Sequence, residues 1–136
     1  MTKAPILLVE DDSIDAMMVN RALCELDVTN KLIHCENGEE ALNFLEDQHK
    51  SKPCIILLDL NMPRMGGIEF LEVIQNKKHL STIPIVLLST SSDHKDLLES
   101  FSQNVVEYIV KPIDYQQFVR MIKSISNYWS QQTPTN

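Results

Sequence analysis

The sequence predicts an α/β fold in which five parallel strands alternate with five helices. Five short apolar runs, rich in Ile, Val and Leu and mostly without polar alternation, are typical of strands buried on both faces of a sheet. Because right-handed crossovers make successive strands parallel, their alternation with helical segments indicates a doubly wound (βα)5 sheet. The runs are Ile6–Val9, Leu32–Cys35, Cys54–Leu58, Ile85–Leu88 and Tyr108–Val110.

The segments between and after these runs carry apolar stripes that predict helices. The first helix runs from about Ser13 to Leu26, and the second follows Asn37, a good N-cap with Glu40 three residues on. The last follows Asp114 and keeps its helical periodicity to the end of the stripe. The third helix starts near Gly67 and carries Ile68, Phe70, Leu71 and Ile74. The fourth carries Leu97, Leu98 and Phe101. The stripe of the fifth consists of Phe118, Met121, Ile122, Ile125, Tyr128 and Trp129.

Length and charge restrict the classes of protein that fit. The 136 residues suit one domain, which we expect over residues 1–129, followed by a polar tail at 130–136. The net charge of -7, without a visible basic patch, argues against direct contact with nucleic acid. No signal peptide precedes Ile6 and no apolar run approaches about 18 residues, so we expect a cytoplasmic protein that makes no membrane contact.

Three cysteines are present: Cys24, Cys35 and Cys54. Their number is odd and no C-x-x-C spacing occurs, which argues against a disulfide framework or a zinc site. Because all three fall within predicted elements, we expect them to be small buried apolar residues.

Acids, a hydroxyl and a lysine stand at the carboxyl ends of the predicted strands, where open parallel sheets bind their ligands. Carboxylates held close together repel one another and require a cation, and hard oxygen ligands in an open cleft suit Mg²⁺. A metal ion, an ammonium and a hydroxyl would together balance the three outer oxygens of a phosphoryl group. The residues are Glu10, Asp11 and Asp12 after the first strand, Asp59 after the third, Ser89 after the fourth and Lys111 after the fifth.

Asp59 is then the natural nucleophile, forming an aspartyl phosphate. Each residue has an ordinary alternative when taken alone. Asp59 could be an ordinary loop or cap residue, and Lys111 could be a solvated charge. Asp11, Asp12 or Ser13 could simply cap the first helix. Small hydroxyl residues such as Ser89 are also common at strand ends. Their occurrence together, in this order, favours the functional interpretation.

Four motifs resemble those of the receiver domains of two-component response regulators. Leu8–Asp12 resembles their opening acidic motif, and Leu57–Pro63 with the following Met65–Gly67 resembles their phosphoacceptor loop. Pro84–Ser89 resembles their hydroxyl strand, and Tyr108–Pro112 their aromatic-switch and lysine motif. The resemblance covers about residues 4–129 and implies a flavodoxin-like sheet with strand order 2-1-3-4-5.

The resemblance implies a role for each acid of the predicted site. Asp59 matches the phosphoacceptor, and Asp11 matches a direct ligand of Mg²⁺. Glu10 matches the second acid, which usually acts on the metal through a water, although many receivers have Asp there. Asn61 matches the position whose backbone carbonyl completes the protein's metal ligands.

The same resemblance implies a switch. Ser89, where many receivers have Thr, matches the hydroxyl that bonds the phosphoryl group, and Lys111 matches the lysine that pairs with it. The bond from Lys111 to Pro112 is expected to be cis. Tyr108 matches the aromatic that swings inward when Ser89 moves. Thr90 stands where Ala or Gly is frequent, which predicts narrower access to the site and slower exchange.

The predicted function is therefore that of a phosphoacceptor signalling protein. It takes a phosphoryl group from a histidine kinase or phosphotransfer protein, catalyses only its own phosphorylation and dephosphorylation, and signals to another protein. One alternative is a haloacid-dehalogenase-type phosphatase, but that class needs Asp-x-Asp and a cap domain, and Asn61 occupies the second position. A docking module without phosphorylation is disfavoured by the complete residue set, and a flavodoxin-type cofactor protein by the lack of a phosphate loop.

Three features narrow the resemblance to stand-alone receivers, of the chemotaxis type and of the kind that partners bacterial phytochromes. They are the long connection Asn76–Thr82, the Ser-Thr-Ser triplet that starts at Ser89, and the aromatic pair Tyr128 and Trp129. They imply a phytochrome-like histidine kinase as partner. Two interpretations of the aromatic pair are open. It folds back on its own domain, or Trp129 anchors a homodimer through the last helix.

Overall fold

The fold is an open α/β sheet in a computed structural model that describes residues 3–62, 65–101, 104–112 and 114–130. The strands are β1 (Ile6–Val9), β2 (Leu32–Cys35), β3 (Ile55–Asp59), β4 (Ile85–Ser89) and β5 (Val105–Val110). The helices are α1 (Ser13–Glu25), α2 (Gly38–Glu46), α3 (Gly67–Gln75), α4 (Leu97–Ser100), α5 (Tyr115–Ser124) and α6 (Asn127–Ser130).

All strand pairs are parallel, in the order β2-β1-β3-β4-β5, which confirms the predicted fold class. Every residue of β1, β3 and β4 is buried, as expected for strands covered on both faces. The edge strand β5 begins at Val105, three residues before the predicted start. Its exposed Glu107 interrupts the apolar run, because an edge strand is only partly covered.

Alternate residues of each strand contribute to two apolar layers. Leu7 and Val9 of β1 face the layer formed with α2, α3 and α4, and Ile6 and Leu8 face the layer formed with α1 and α5. This period of two is the geometry of a pleated strand. The sheet therefore holds α1 and α5 together on one of its faces.

The helices differ in how they begin. Asp12 caps α1 by accepting hydrogen bonds from the backbone N–H groups of Ile14 and Asp15. Asn37 caps α2 and Asp114 caps α5 in the same manner, and α3 and α4 have no side-chain cap hydrogen bond. Side-chain caps satisfy backbone donors that a helix leaves open, so the first turns of α1 and α5 are well fixed.

The prediction of one continuous last helix to Trp129 is wrong. The helix α5 ends at Ser124, the backbone leaves the helical region at Ile125, and the short α6 follows. This break returns Trp129 to the α1 and α5 layer, where it is 3% exposed. The burial of the indole in its own chain is the gain that outweighs a continuous helix. It removes Trp129 as the anchor of a dimer in this conformation.

The cysteines follow expectation in part. Cys35 and Cys54 are buried free thiols, but Cys24 is exposed, so the prediction of three buried cysteines is wrong for that position. Cys24 points away from the helix face on which Val19 and Leu23 are buried. Among the described residues, no helix is both long and apolar enough to span a membrane. Residues 131–136 of the predicted tail lie outside the described ranges.

Candidate metal and phosphoryl site at the carboxyl edge

Three carboxylates meet at the carboxyl edge of the sheet. Glu10 follows β1 and Asp59 ends β3, two adjacent strands whose register pairs Val9 with Leu58. One oxygen from each of Glu10, Asp11 and Asp59 lies within 4.8 Å of the others. Glu10 and Asp59 are buried and Asp11 is exposed, which leaves an open side. This set of hard oxygen donors, open toward solvent, fits a divalent cation that keeps some of its water.

The acids are held together at an electrostatic cost. Burial, a hydrogen bond with Asp59 and the Asp59 charge together raise the pKa of Glu10 to about 8, although Lys111 acts to lower it. Without a cation, the site therefore favours a proton on Glu10 near neutral pH. A divalent cation would take the place of that proton.

The ammonium of Lys111 lies among three carboxylates. Its Nζ donates to Asp15 Oδ2 at 2.9 Å, to Glu10 Oε1 at 3.0 Å and to Asp59 Oδ1 at 3.3 Å. Burial acts to lower the pKa of Lys111, but the hydrogen bond with Asp15 and the charges of Glu10 and Asp59 bring it above its usual range. The lysine therefore stays charged, within reach of any group on Asp59.

A second set of contacts joins the hydroxyl to the aromatic residue. Ser89 is buried, and its Oγ accepts a hydrogen bond from the backbone N–H of Ser91 at 3.2 Å. The hydroxyl of Tyr108 donates to the backbone carbonyl of Ser91 at 2.7 Å. The Tyr108 ring is already buried in this structure. Ser91 therefore connects the two residues of the predicted switch through its backbone.

Asn61 and Thr90 lie together at the mouth of the site. The backbone N–H of Asn61 donates to Asp59 Oδ1 at 3.1 Å. Its side-chain oxygen accepts from the backbone N–H of Thr90 at 3.1 Å and lies 3.4 Å from the Thr90 hydroxyl. Both side chains are exposed, so this contact borders the approach to Asp59. Pro63 of the predicted phosphoacceptor loop lies outside the described residues.

The structure brings the predicted site residues to one edge, with Tyr108 directly beside it. It corrects one detail: no cis peptide bond occurs among the described residues, so Lys111 is joined to Pro112 by a trans bond. The trans form is favoured by about 0.5–1 kcal/mol even before proline. Sequence reasoning missed Asp15, whose place three residues after the cap Asp12 was the available signal.

Comparisons with known proteins identify the family of the chain. The family model of the response regulator receiver domain matches residues 6–123. The chain is 36% identical over 127 residues to the probable methanogenesis regulatory protein FilR2 of Methanothrix harundinacea, covering 91% of this chain and 82% of that protein. It is 34% identical over 128 residues to the response regulator Rcp1 of Synechocystis, covering 91% and 87%.

Solved structures of the same kind superpose on nearly the whole chain. The phosphorylated cyanobacterial phytochrome response regulator RcpA has a TM-score of 0.82 at 33% identity and covers 99% of this chain and 100% of its own. The Mn²⁺-bound form of Rcp1 has a TM-score of 0.80 at 31% identity, with 98% and 97% covered. With the family model matching most of its length, the chain belongs to the response regulator receiver domains of two-component signalling systems.

Proposed function

We propose that Asp59 accepts a phosphoryl group from a histidine kinase, with Mg²⁺ held by Glu10, Asp11, Asp59 and the backbone carbonyl of Asn61. The observation that carries the proposal is the position of Lys111 Nζ, 3.3 Å from Asp59 Oδ1, beside three clustered carboxylates. The similarity to a phosphorylated regulator and to a Mn²⁺-bound one supports both halves of the proposal. The receiver unit occupies residues 1–129.

The chemistry follows from the charges. An oxygen of the Asp59 carboxylate attacks phosphorus, the bond from phosphorus to the donor's histidine nitrogen breaks, and that nitrogen keeps the electron pair. The Lys111 ammonium and the Ser89 hydroxyl bind two of the outer oxygens. A divalent cation held by Glu10, Asp11 and Asp59 would supply positive charge that offsets the negative charge of the carboxylates and of the phosphoryl group. Later attack of water on phosphorus breaks the bond to the Asp59 oxygen and releases inorganic phosphate, so the protein catalyses only its own phosphorylation and dephosphorylation.

Helix α1 offers the kinase a docking surface next to the acids. Ile14 and Met17, three residues apart on α1, are 67% and 69% exposed. Large exposed apolar side chains beside a reactive site mark a protein contact, and here the contact must bring a histidine to Asp59. Similarity to phytochrome response regulators favours a phytochrome-type kinase.

Phosphorylation reaches a protein target through Ser89, Ser91 and Tyr108. When the Ser89 hydroxyl turns to a phosphoryl oxygen, it releases the N–H of Ser91, whose carbonyl holds Tyr108. A local charge thereby shifts the position of the connection between β4 and α4. Thr90, bonded to Asn61 across the mouth, slows exchange at Asp59. The burial of Trp129 in its own chain favours the fold-back interpretation over a homodimer that Trp129 anchors.

A direct test is incubation with acetyl phosphate and Mg²⁺, followed by intact-mass spectrometry. We expect one added phosphoryl group on the wild-type protein, none on Asp59→Asn, and none after chelation of the metal. Asp27→Asn is a matched control, because Asp27 is exposed and has a positive φ of 58°, a conformation that Asn adopts readily. Full phosphorylation of Asp59→Asn would refute the assignment.

A further inference from the structure

Asp15 makes the shortest of the three contacts to Lys111 and lies outside the carboxylate cluster that fits a metal. Its Oδ2 is 2.9 Å from Lys111 Nζ, and the cluster consists of Glu10, Asp11 and Asp59. A lysine ammonium has three N–H donors. The contacts to Glu10, Asp15 and Asp59 use all three, so none is left for a phosphoryl oxygen.

The Asp15 side chain does not cap the helix on which it lies. It occupies the third residue of α1, from which an acidic side chain commonly reaches back to the N–H of the cap residue. Here the N–H of Asp12 donates instead to Glu10 Oε2 at 3.3 Å. The Asp15 carboxylate is therefore directed at Lys111 rather than at its own helix.

The pair is only partly solvated. The side chain of Lys111 is 14% exposed and that of Asp15 is 35% exposed. Both border a cavity of about 140 Å³ whose remaining walls are mostly apolar, formed by Glu10, Met18, Val19, Leu88, Pro112 and Phe118. Apolar walls reduce screening, so the attraction exceeds that of an ordinary surface pair. At the other end, the backbone N–H of Lys111 donates to the Ser89 carbonyl at 2.7 Å, which fixes the base of the side chain.

We propose that Asp15 is a positioning residue that holds the Lys111 ammonium on the α1 side and thereby slows phosphorylation of Asp59. The proposal rests on the function proposed above. A phosphoryl group arriving at Asp59 requires an N–H donor from Lys111, and Asp15 competes with it for that donor. Removing the competitor frees the ammonium for the transition state. With acetyl phosphate, the phosphorus–oxygen bond of the donor breaks, acetate leaves with the electron pair, and an Asp59 oxygen forms the new bond to phosphorus.

The experiment compares three variants by their initial rates of phosphorylation with acetyl phosphate at saturating Mg²⁺. We expect Asp15→Asn to be phosphorylated about three- to ten-fold faster than wild type, the range for losing one partly exposed ion-pair competitor. Asp15→Glu restores the carboxylate and should bring the rate back toward wild type. Asp12→Asn removes one nearby charge without a contact to Lys111, and Asn caps a helix as well as Asp does.

A second measurement tests the pair without any phosphoryl transfer. Thermal unfolding of Asp15→Asn, Lys111→Met and the double variant forms a cycle, and the two shifts in midpoint should be clearly non-additive if the pair is formed. Additive shifts would overturn the inference, as would an Asp15→Asn rate no faster than that of Asp12→Asn. If no variant and not even the wild type accepts a phosphoryl group while the cycle shows coupling, the proposed function fails, and the control of its rate by Asp15 fails with it.

Discussion

The two sides of the carboxyl-edge cleft are built differently. The α1 side comprises α1 and α5, and the α4 side comprises residues 90–96 and α4. Helix α1 has 13 residues and a side-chain cap, and α5 has 10 residues and a side-chain cap. Helix α4 has four residues and no side-chain cap hydrogen bond, and residues 92–96 before it are exposed.

Each side holds a different part of the chemistry. Lys111, the cation of the site, is bonded to Asp15 of α1. Ser89 and Tyr108 are connected through Ser91, in the loop of the α4 side. Segments with short helices and exposed backbone open at low free energy, and switching elements are drawn from them. If the proposed function holds, we therefore expect the stable α1 side to fix the reactive groups and the α4 side, which opens at lower free energy, to carry the response.

The largest expected effect compares one buried phenylalanine from each side. Phe118 of α5 lies in the layer with α1, and Phe101 directly follows α4 in the other layer. Phe118→Ala should lower the free energy of unfolding by about 3–5 kcal/mol, because long capped helices cannot collapse into the cavity. Phe101→Ala should cost about 1–2 kcal/mol less, because the short α4 can adjust.

Urea denaturation of both variants measures the two losses, with unchanged m-values as the check that the unfolding stays comparable. Equal losses of unfolding free energy at the two positions would mean that the two sides are equally rigid, and would contradict the difference inferred between them.

How much of the fold the sequence predicts depends on whether an element is determined by its local pattern or by contacts with distant parts of the chain. The strand β1 was predicted residue for residue, because Ile6–Val9 is an apolar run buried on both faces. The start of β5 was missed because Glu107 faces solvent at the sheet edge. The break after Ser124 was missed because only the folded chain shows where the Trp129 indole is buried.

The candidate site could likewise be predicted only in part. Glu10, Asp59, Ser89 and Lys111 could be predicted together, because each stands at a strand end and parallel strands end at one edge. Asp15 could not be chosen from its neighbours, since an acid in the first turn of a helix already has an ordinary role. Its partner Lys111 is 96 residues away in the sequence.

A pH-dependent change in stability, of intermediate size, should arise from Glu10, which bonds the same lysine as Asp15. The pKa of Glu10 rises from 4.5 to about 8 on folding, so the folded protein binds this proton more tightly than the unfolded chain does. The contribution of Glu10 to stability is then fully present below about pH 4.5 and is lost as the pH rises toward 8. The slope in between is at most about 1.4 kcal/mol per pH unit.

Thermal melts in a chelator should therefore show a lower midpoint at pH 8 than at pH 6, and added Mg²⁺ should reduce the difference. The variant Glu10→Gln isolates this group from the four histidines, which titrate in the same window. If the variant keeps the full wild-type slope, Glu10 is not its source.

The smallest effect concerns the hydrogen bond that connects Tyr108 to the α4 side. Tyr108→Phe removes the donor to the Ser91 carbonyl and keeps the buried ring. We expect a loss of about 0.5–1.5 kcal/mol, since the carbonyl is partly buried and loses its partner. Tyr128→Phe is the control, because Tyr128 is only half-buried and packs against the α1 and α5 layer. Amide hydrogen exchange separates the two sides: Tyr108→Phe should speed exchange in residues 90–96 and leave α1 unchanged. Faster exchange in α1 as well would mean that the cleft opens as one unit, and the assignment of the response to the α4 side would then be wrong.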